Sequence, residues 1–294
     1  MRRALVLIAV ALGQSGAFVR DDVRVGVFGL FHPRVLAVSA SGGVLSLRGD
    51  GGDCVLRGVE EARLVLDGAI VRVACGDAVF RTRGLQATGQ AGDAAELRLS
   101  VPGRIARRFH GRLEVTSGRG ELLPVVSMDL ETAVASVVAA EQVPSTPPEA
   151  LKAQAVAARS FFVAARHRHR GFSFCDTTHC QFLREPPAPG HPAARAARET
   201  AGLVLAFRGT PIQALYSASC GGRTRTLIEA GLNPAAVYPY FSVDCVHRPA
   251  ADRVGHGIGL CQEGAALIAA ERRASFAEIL QFYYPATTLE VRSP

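Results

Sequence analysis

The chain has 294 residues, 48% of them hydrophobic and 20% charged, a balance that excludes a disordered polyelectrolyte and fits an ordinary folded protein. Its formal charge is +7, but no basic run is interleaved with aromatics. Composition therefore gives no case for nucleic acid, and a solvated basic surface is the plain reading.

In chain order, Met1-Arg2-Arg3 is a short positive region and Ala4 to Leu12 is apolar. Ser15-Gly16-Ala17 then supplies small residues for a cleavage site. That order predicts a secretory signal peptide over residues 1–17, and with it export to the periplasm or cell envelope. No later segment is long and apolar enough to span a bilayer. Export permits disulfides. The seven cysteines are Cys54, Cys75, Cys175, Cys180, Cys220, Cys245 and Cys261. An odd count leaves at least one thiol free, metal-bound or intermolecular, and Cys54 with Cys75 makes a plausible local bridge.

Residues 18–110 read as a β-rich N-terminal region. Val23 to Val27 alternates, and Leu64 to Val71 has a short apolar run on each side of Asp67-Gly68, a hairpin signal. The same theme recurs in Arg112 to Val115 and Leu122 to Val126, around Thr116 to Gly120. Near Asp129 the pattern becomes helical, with Leu130, Val134, Val137, Val138 and Glu141 on one face. Val143 to Pro148 breaks that helix. Thr146, Pro147 and Glu149 predict an N-cap, an N1 proline and a capping box for a second helix over about 147–166. Pro186 to Pro192 is a proline-rich loop. Beyond it lie a helix near 193–201, strands near 203–207 and 212–217, and helices near 262–272 and 275–283. The fold class expected is α+β: the β-rich region, then a mixed helix and strand domain over 111–294.

Glu141 sits on the apolar face of its helix, where desolvation favours the protonated acid. A carboxylic acid held protonated can donate to a leaving oxygen. A helix-end glutamate bending out to solvent is the plainer alternative. Lys152, the only lysine among 33 basic residues, and Arg159 lie seven residues apart on the next helix. A short turn predicts a helical hairpin, which would let both cations approach Glu141 or form a solvated stripe.

His169, Cys175, His179 and Cys180 offer two imidazoles and two thiolates, a suitable shell for a structural zinc with no open position. A disulfide or plain loop residues are the alternatives. Gly255-His256-Gly257-Ile258-Gly259 presents an unshielded histidine before a helix, without the lysine or spacing of a P-loop. Tyr216 through Thr224 is a polar, glycine-bearing strand end of the kind that lines a groove. All five tyrosines follow residue 215, either as platforms for sugar faces or as core packing.

Taken together, these segments resemble the SpoIID/LytB family of bacterial cell-wall proteins. The resemblance rests on Ala139 to Pro144, Glu149 to Ser160, Asp176 to Gln181, Tyr216 to Thr224, Gly255 to Ala265 and Tyr283-Tyr284-Pro285. It implies a peptidoglycan lytic transglycosylase cleaving the MurNAc-GlcNAc bond of peptide-stripped glycan, with 1,6-anhydro-muramic ends as product. Glu141 would be its general acid/base, with Lys152 and Arg159 in the active site. Gln154, Tyr216, Ser217, Ser219, Gly221, Gly222, Thr224, His256 and Gln262 would bind substrate. Zinc on His169, Cys175, His179 and Cys180 would be structural, with no cofactor needed for the chemistry. The expected partners are glycan strands and a cell-wall amidase. Gln142, the polar pair Ser145-Thr146 and Cys261 depart from the family pattern. Two rivals stand beside this reading: a non-catalytic glycan-binding enhancer of an amidase, and a secreted metallohydrolase that would need an open zinc position.

Overall fold

The computed structural model describes residues 22–143, 145–165, 168–234, 236–246 and 253–292. The expected signal peptide lies outside them. The strands before the first α-helix are β1 (Asp22–Gly26), β2 (Val35–Ala40), β3 (Val44–Gly49), β4 (Gly52–Arg57), β5 (Glu61–Asp67), β6 (Ile70–Cys75), β7 (Ala78–Thr82), β8 (Gly84–Thr88), β9 (Ala95–Val101), β10 (Ile105–Gly118) and β11 (Glu121–Asp129). Alternating burial along β5, β6, β9 and β10 turns one face of each strand inward. The predicted hairpins are present as β5/β6 and β10/β11.

The longest strand, β10, ties the sheet together. Its first half pairs with β9. Its second half pairs with β8 on one side and β11 on the other. β1 adds to β11, and a short strand from much later in the chain, β12 (Phe174–Cys175), adds parallel to β1. Cys54 and Cys75 are joined as a disulfide between β4 and β6.

The helices follow: α1 (Leu130–Glu141), α2 (Pro148–Ala164) and α3 (Pro192–Glu199). The Asp129 carboxylate caps α1, accepting from the N–H groups of Glu131 and Thr132 at 3.0 and 3.2 Å. The capping box predicted for α2 does not form. Pro147 is the N-cap and has no side-chain oxygen to offer. Thr146 donates instead to the Gln142 side chain, and Glu149 accepts from Lys152 and from the Phe276 N–H. Farther on come β13 (Leu203–Phe207), β14 (Thr210–Pro211), β15 (Tyr216–Ser217), β16 (Leu260–Cys261), α4 (Gln262–Glu271), α5 (Phe276–Tyr283) and β17 (Thr288–Val291). The strand expected over 212–217 is thus only Tyr216–Ser217, which pairs parallel with β16.

Two apolar cores result. The first runs from Val23 to Ala197 and joins the sheet to α1, one face of α2, and α3. The second lies on the other face of α2 and gathers Leu205, Ile212, Leu260, Ile268, Leu280 and the buried tyrosines. The boundary expected between residues 110 and 111 falls inside β10, so sheet and helices share one core. Among the described residues no helix is long and apolar enough to cross a membrane.

Candidate active site

Glu141 is the last residue of α1, half-buried, and its carboxyl opens into a groove of about 400 Å³. The walls come from three parts of the chain: Thr178, Cys180 and Gln181; Tyr216 and Ser217; and Gly255 and His256. Glu141 is the one carboxylate among the described residues that line it. Its Oε1 accepts from the Phe182 N–H at 3.1 Å, and its Oε2 lies 3.5 Å from the Gln262 amide nitrogen. Burial pushes its pKa up, while the Phe182 N–H, Gln262, the charge of Arg184 and Tyr216 pull it back. The direction that wins is upward, so the acid form persists above the ordinary value of 4.5.

Tyr216 donates its hydroxyl to the Gln181 side-chain oxygen at 2.8 Å. Burial, then the neighbouring Glu141 charge, keeps that phenol neutral. Ser217 lines the groove, and its buried hydroxyl has no hydrogen-bond partner among the described residues. His256 accepts the Ile258 N–H at its Nδ1, 3.0 Å away, which leaves Nε2 to carry the proton of the neutral ring. Burial, then the charge of Arg225, lowers its pKa and favours that neutral form. The glycines of this loop are needed for close approach: a Cβ on Gly259 would lie 2.0 Å from the Leu215 carbonyl, at a φ of +67°. The groove therefore offers one acid and several neutral polar groups around it, a surface suited to hydroxyl-rich ligands.

Of the residues expected in the site, the structure brings Glu141, Tyr216, Ser217, His256 and Gln262 together. Gln154 lies behind them, fully buried against Gln142. Ser219, Gly221, Gly222 and Thr224 do not line the groove. Ser219 pairs with Val254, and Thr224 ties its loop to Val243.

Lys152 and Arg159 are not brought to Glu141. Lys152 pairs with Glu149 and Glu199 at 2.8 and 2.9 Å. Arg159 is 1% exposed and forms a forked ion pair with Glu131 at the opposite end of α1. Ten residues of helix separate Glu131 from Glu141, about 15 Å. Arg159 also donates to the carbonyls of Ala197 and Leu203, so it pins α3 and β13 to the helical hairpin. The cation that acts on Glu141 is Arg184, stacked over the Phe182 ring. No motif marked Arg184 or the Phe182 N–H in the sequence. Gln181 lies within the Asp176 to Gln181 segment that carries part of the family resemblance. Four of the five tyrosines, Tyr238, Tyr240, Tyr283 and Tyr284, are buried in the second core, so packing explains them.

Beside the groove, His169, Cys175, His179 and Cys180 present ligand atoms all within 4.8 Å of one another. His169 Nε2 is 3.2 Å from Cys180 Sγ, and His179 Nδ1 is 3.7 and 3.5 Å from the sulfurs of Cys175 and Cys180. Around tetrahedral zinc, nitrogen and sulfur ligands stand about 3.6 Å apart. These three nitrogen–sulfur edges thus lie within about 0.5 Å of those of such a tetrahedron, and the remaining edges are under 4.8 Å. The turn over 177–180, closed by Cys180 N–H to the Thr177 carbonyl, lets the adjacent His179 and Cys180 face one point. Cys175 comes to it from the sheet, in register with Gly26 of β1.

Residues 118–207 match the profile of the family described as SpoIID, Stage II sporulation protein. No curated protein matches the chain. A SpoIID domain suggests a cell-wall-related sporulation protein. The matched stretch holds α1 with Glu141, α2, and the whole His169 to Cys180 cluster, so over those residues the chain carries a SpoIID-like domain.

Proposed function

We propose that the protein is an exported peptidoglycan lytic transglycosylase, with Glu141 as the single general acid/base. The observation that carries this is the half-buried Glu141 carboxyl, held toward its acid form, on the wall of a groove with no second carboxylate among the described residues. A hydrolytic glycosidase needs a second carboxyl to activate water or attack the sugar. A transglycosylase does not, because the muramic 6-hydroxyl is the nucleophile and is already attached to the reacting ring. Glu141 donates its proton to the glycosidic oxygen as the bond to the anomeric carbon breaks. The 6-hydroxyl oxygen then bonds to that carbon and returns its proton to Glu141. The products are an anhydro-muramic end and a free GlcNAc hydroxyl, with no water consumed. Ser217, Tyr216 and the Nε2–H of His256 hydrogen-bond sugar hydroxyls and amides along the groove.

A zinc ion on His169, Cys175, His179 and Cys180 is part of the same proposal. With four protein ligands its contribution is structural. Those residues hold the segment that delivers Gln181 to Tyr216 and the Phe182 N–H to Glu141. The closed ligand set argues against a metallohydrolase.

The decisive experiment is digestion of purified, stem-free glycan followed by mass spectrometry. Anhydro-muramic ends from the wild type, absent with Glu141→Gln, are the expected result. No product from the wild type would instead support a glycan-binding enhancer of a cell-wall amidase. One observation favours that second reading: Lys152 and Arg159 are engaged in ion pairs of the scaffold and give the groove no cation.

A further inference from the structure

Behind the groove lies a second cluster that the proposed chemistry does not use. Cys220, Cys245 and Cys261 come from three separate segments, yet their sulfurs all lie within 4.8 Å of one another. Unlike Cys54 and Cys75, they are not joined as a disulfide. Cys220 and Cys261 are almost fully buried.

The surroundings of these sulfurs are those of ligands. Cys261 is the N-cap of α4, and its Sγ accepts the N–H groups of Gly264 and Cys220, both at 3.4 Å. Two backbone donors and a helix N-terminus are partners suited to an electron-rich ligand sulfur. Cys245 Sγ lies 3.0 Å from the Tyr283 hydroxyl. Arg253, the guanidinium close by, is turned to the Cys220 carbonyl and not to a sulfur. The helix makes room for the cluster at Gly264, where a Cβ would sit 2.3 Å from Cys245 Sγ and 2.1 Å from the Tyr283 hydroxyl. A disulfide would use two of the three sulfurs and strand the third in the core. A metal ion would use all three and neutralise the buried negative charge.

We propose that Cys220, Cys245 and Cys261 bind a thiophilic metal ion, zinc or cuprous copper, as a second metal site distinct from the His169 to Cys180 cluster. Three thiolates suffice for trigonal cuprous copper. Zinc takes a fourth ligand, for which the Tyr283 hydroxyl is adjacent. The site clasps the end of the Tyr216 strand, the Cys245 loop and the start of α4. Ser217 pairs in register with Cys261, and the next residue, Gln262, reaches Glu141. The ion therefore fixes the rear wall of the groove without entering it.

The test is thiol alkylation of the full chain, mapped by peptide mass, with metal content measured on the same samples. It is run in a Cys175→Ala/Cys180→Ala background, which strips both thiolates from the first cluster so that it does not contribute. As purified, all three thiols should resist alkylation and one ion per chain should remain. A chelator should release the ion and expose all three together. Protection regained with zinc chloride assigns zinc, and protection regained only with cuprous ion assigns copper. The proposal is overturned if neither ion restores protection, if chelation leaves labelling unchanged, or if a disulfide within the trio is found in the purified chain. A second arm avoids dependence on that background: Cys261→Ser in the otherwise unchanged chain should hold one ion fewer than wild type, and equal metal content would also overturn the proposal.

Discussion

At the scale of single residues, Glu141 stands against two opposing influences, and the balance has measurable consequences. With Glu141 as the proposed general acid, Glu141→Gln should lower glycan cleavage by about 10²- to 10⁴-fold. The wild-type rate should fall on the alkaline side as the acid form is lost, with a limb lying above pH 4.5. The same shift predicts a change in stability. A carboxyl whose folded pKa is raised binds more protons folded than unfolded, so its stabilising contribution is full below about 4.5 and is lost as pH rises through the folded value. Glu141→Gln should therefore melt at or above the wild-type temperature near neutral pH, with the gap closing in acid. Thermal unfolding across pH checks this, and a uniform loss of stability would make Glu141 a structural residue. Lys152 and Arg159 should part company in the same assays. Lys152→Met should leave cleavage within a few-fold of wild type, because its partners are Glu149 and Glu199. A loss on the scale of a missing acid would return Lys152 to the chemistry. Arg159→Met would leave the half-exposed Glu131 and the Ala197 and Leu203 carbonyls without their partner and should cost about 1–3 kcal/mol, read by denaturant unfolding.

At the scale of elements, the link between sheet and groove runs through one short segment. β12 attaches Cys175 to β1, the turn after it sets His179 and Cys180, and the following residues give Gln181 and the Phe182 N–H to the site. Removal of the zinc proposed for this cluster should loosen the whole run. A chelator should lower the melting temperature and speed hydrogen exchange at the Phe182 amide, with zinc reversing both. A chelator without effect on exchange there would disconnect the cluster from the groove. This arrangement also explains what could be read from sequence. The helical face ending in Glu141 was legible because its apolar spacing is local, and so were the β5/β6 and β10/β11 hairpins and the Cys54–Cys75 bridge. The partners of Lys152 and Arg159 were not. Seven-residue spacing puts both on one side of α2, but only the packing of α3 and α1 decides that Glu199 and Glu131 meet them. The α2 cap was misread for a similar reason: Glu149 is claimed by Lys152 and by the distant N-terminus of α5. Arg184 had no signal at all, since its importance comes from a loop folding back over Glu141.

On the scale of the whole molecule, stability is shared between the sheet and the helices. The Cys54–Cys75 bridge closes a segment with a sequence separation of 21, and neither cysteine lines the groove. Replacing both cysteines with serine should cost about 3 kcal/mol of unfolding free energy on the chain-entropy account, while leaving metal content unchanged. The stretch that matches the family profile begins at residue 118, the last residue of β10. A fragment beginning there would lack β1, the neighbour of both β11 and β12, and so would lose the strand against which Cys175 is laid. The recognised stretch thus stops short of a strand on which two of its own strands are laid. Anyone wishing to shorten it for crystallography or fusion should keep β1, because trimming to the recognised stretch would leave a naked edge, half a core, and Cys175 with nothing behind it.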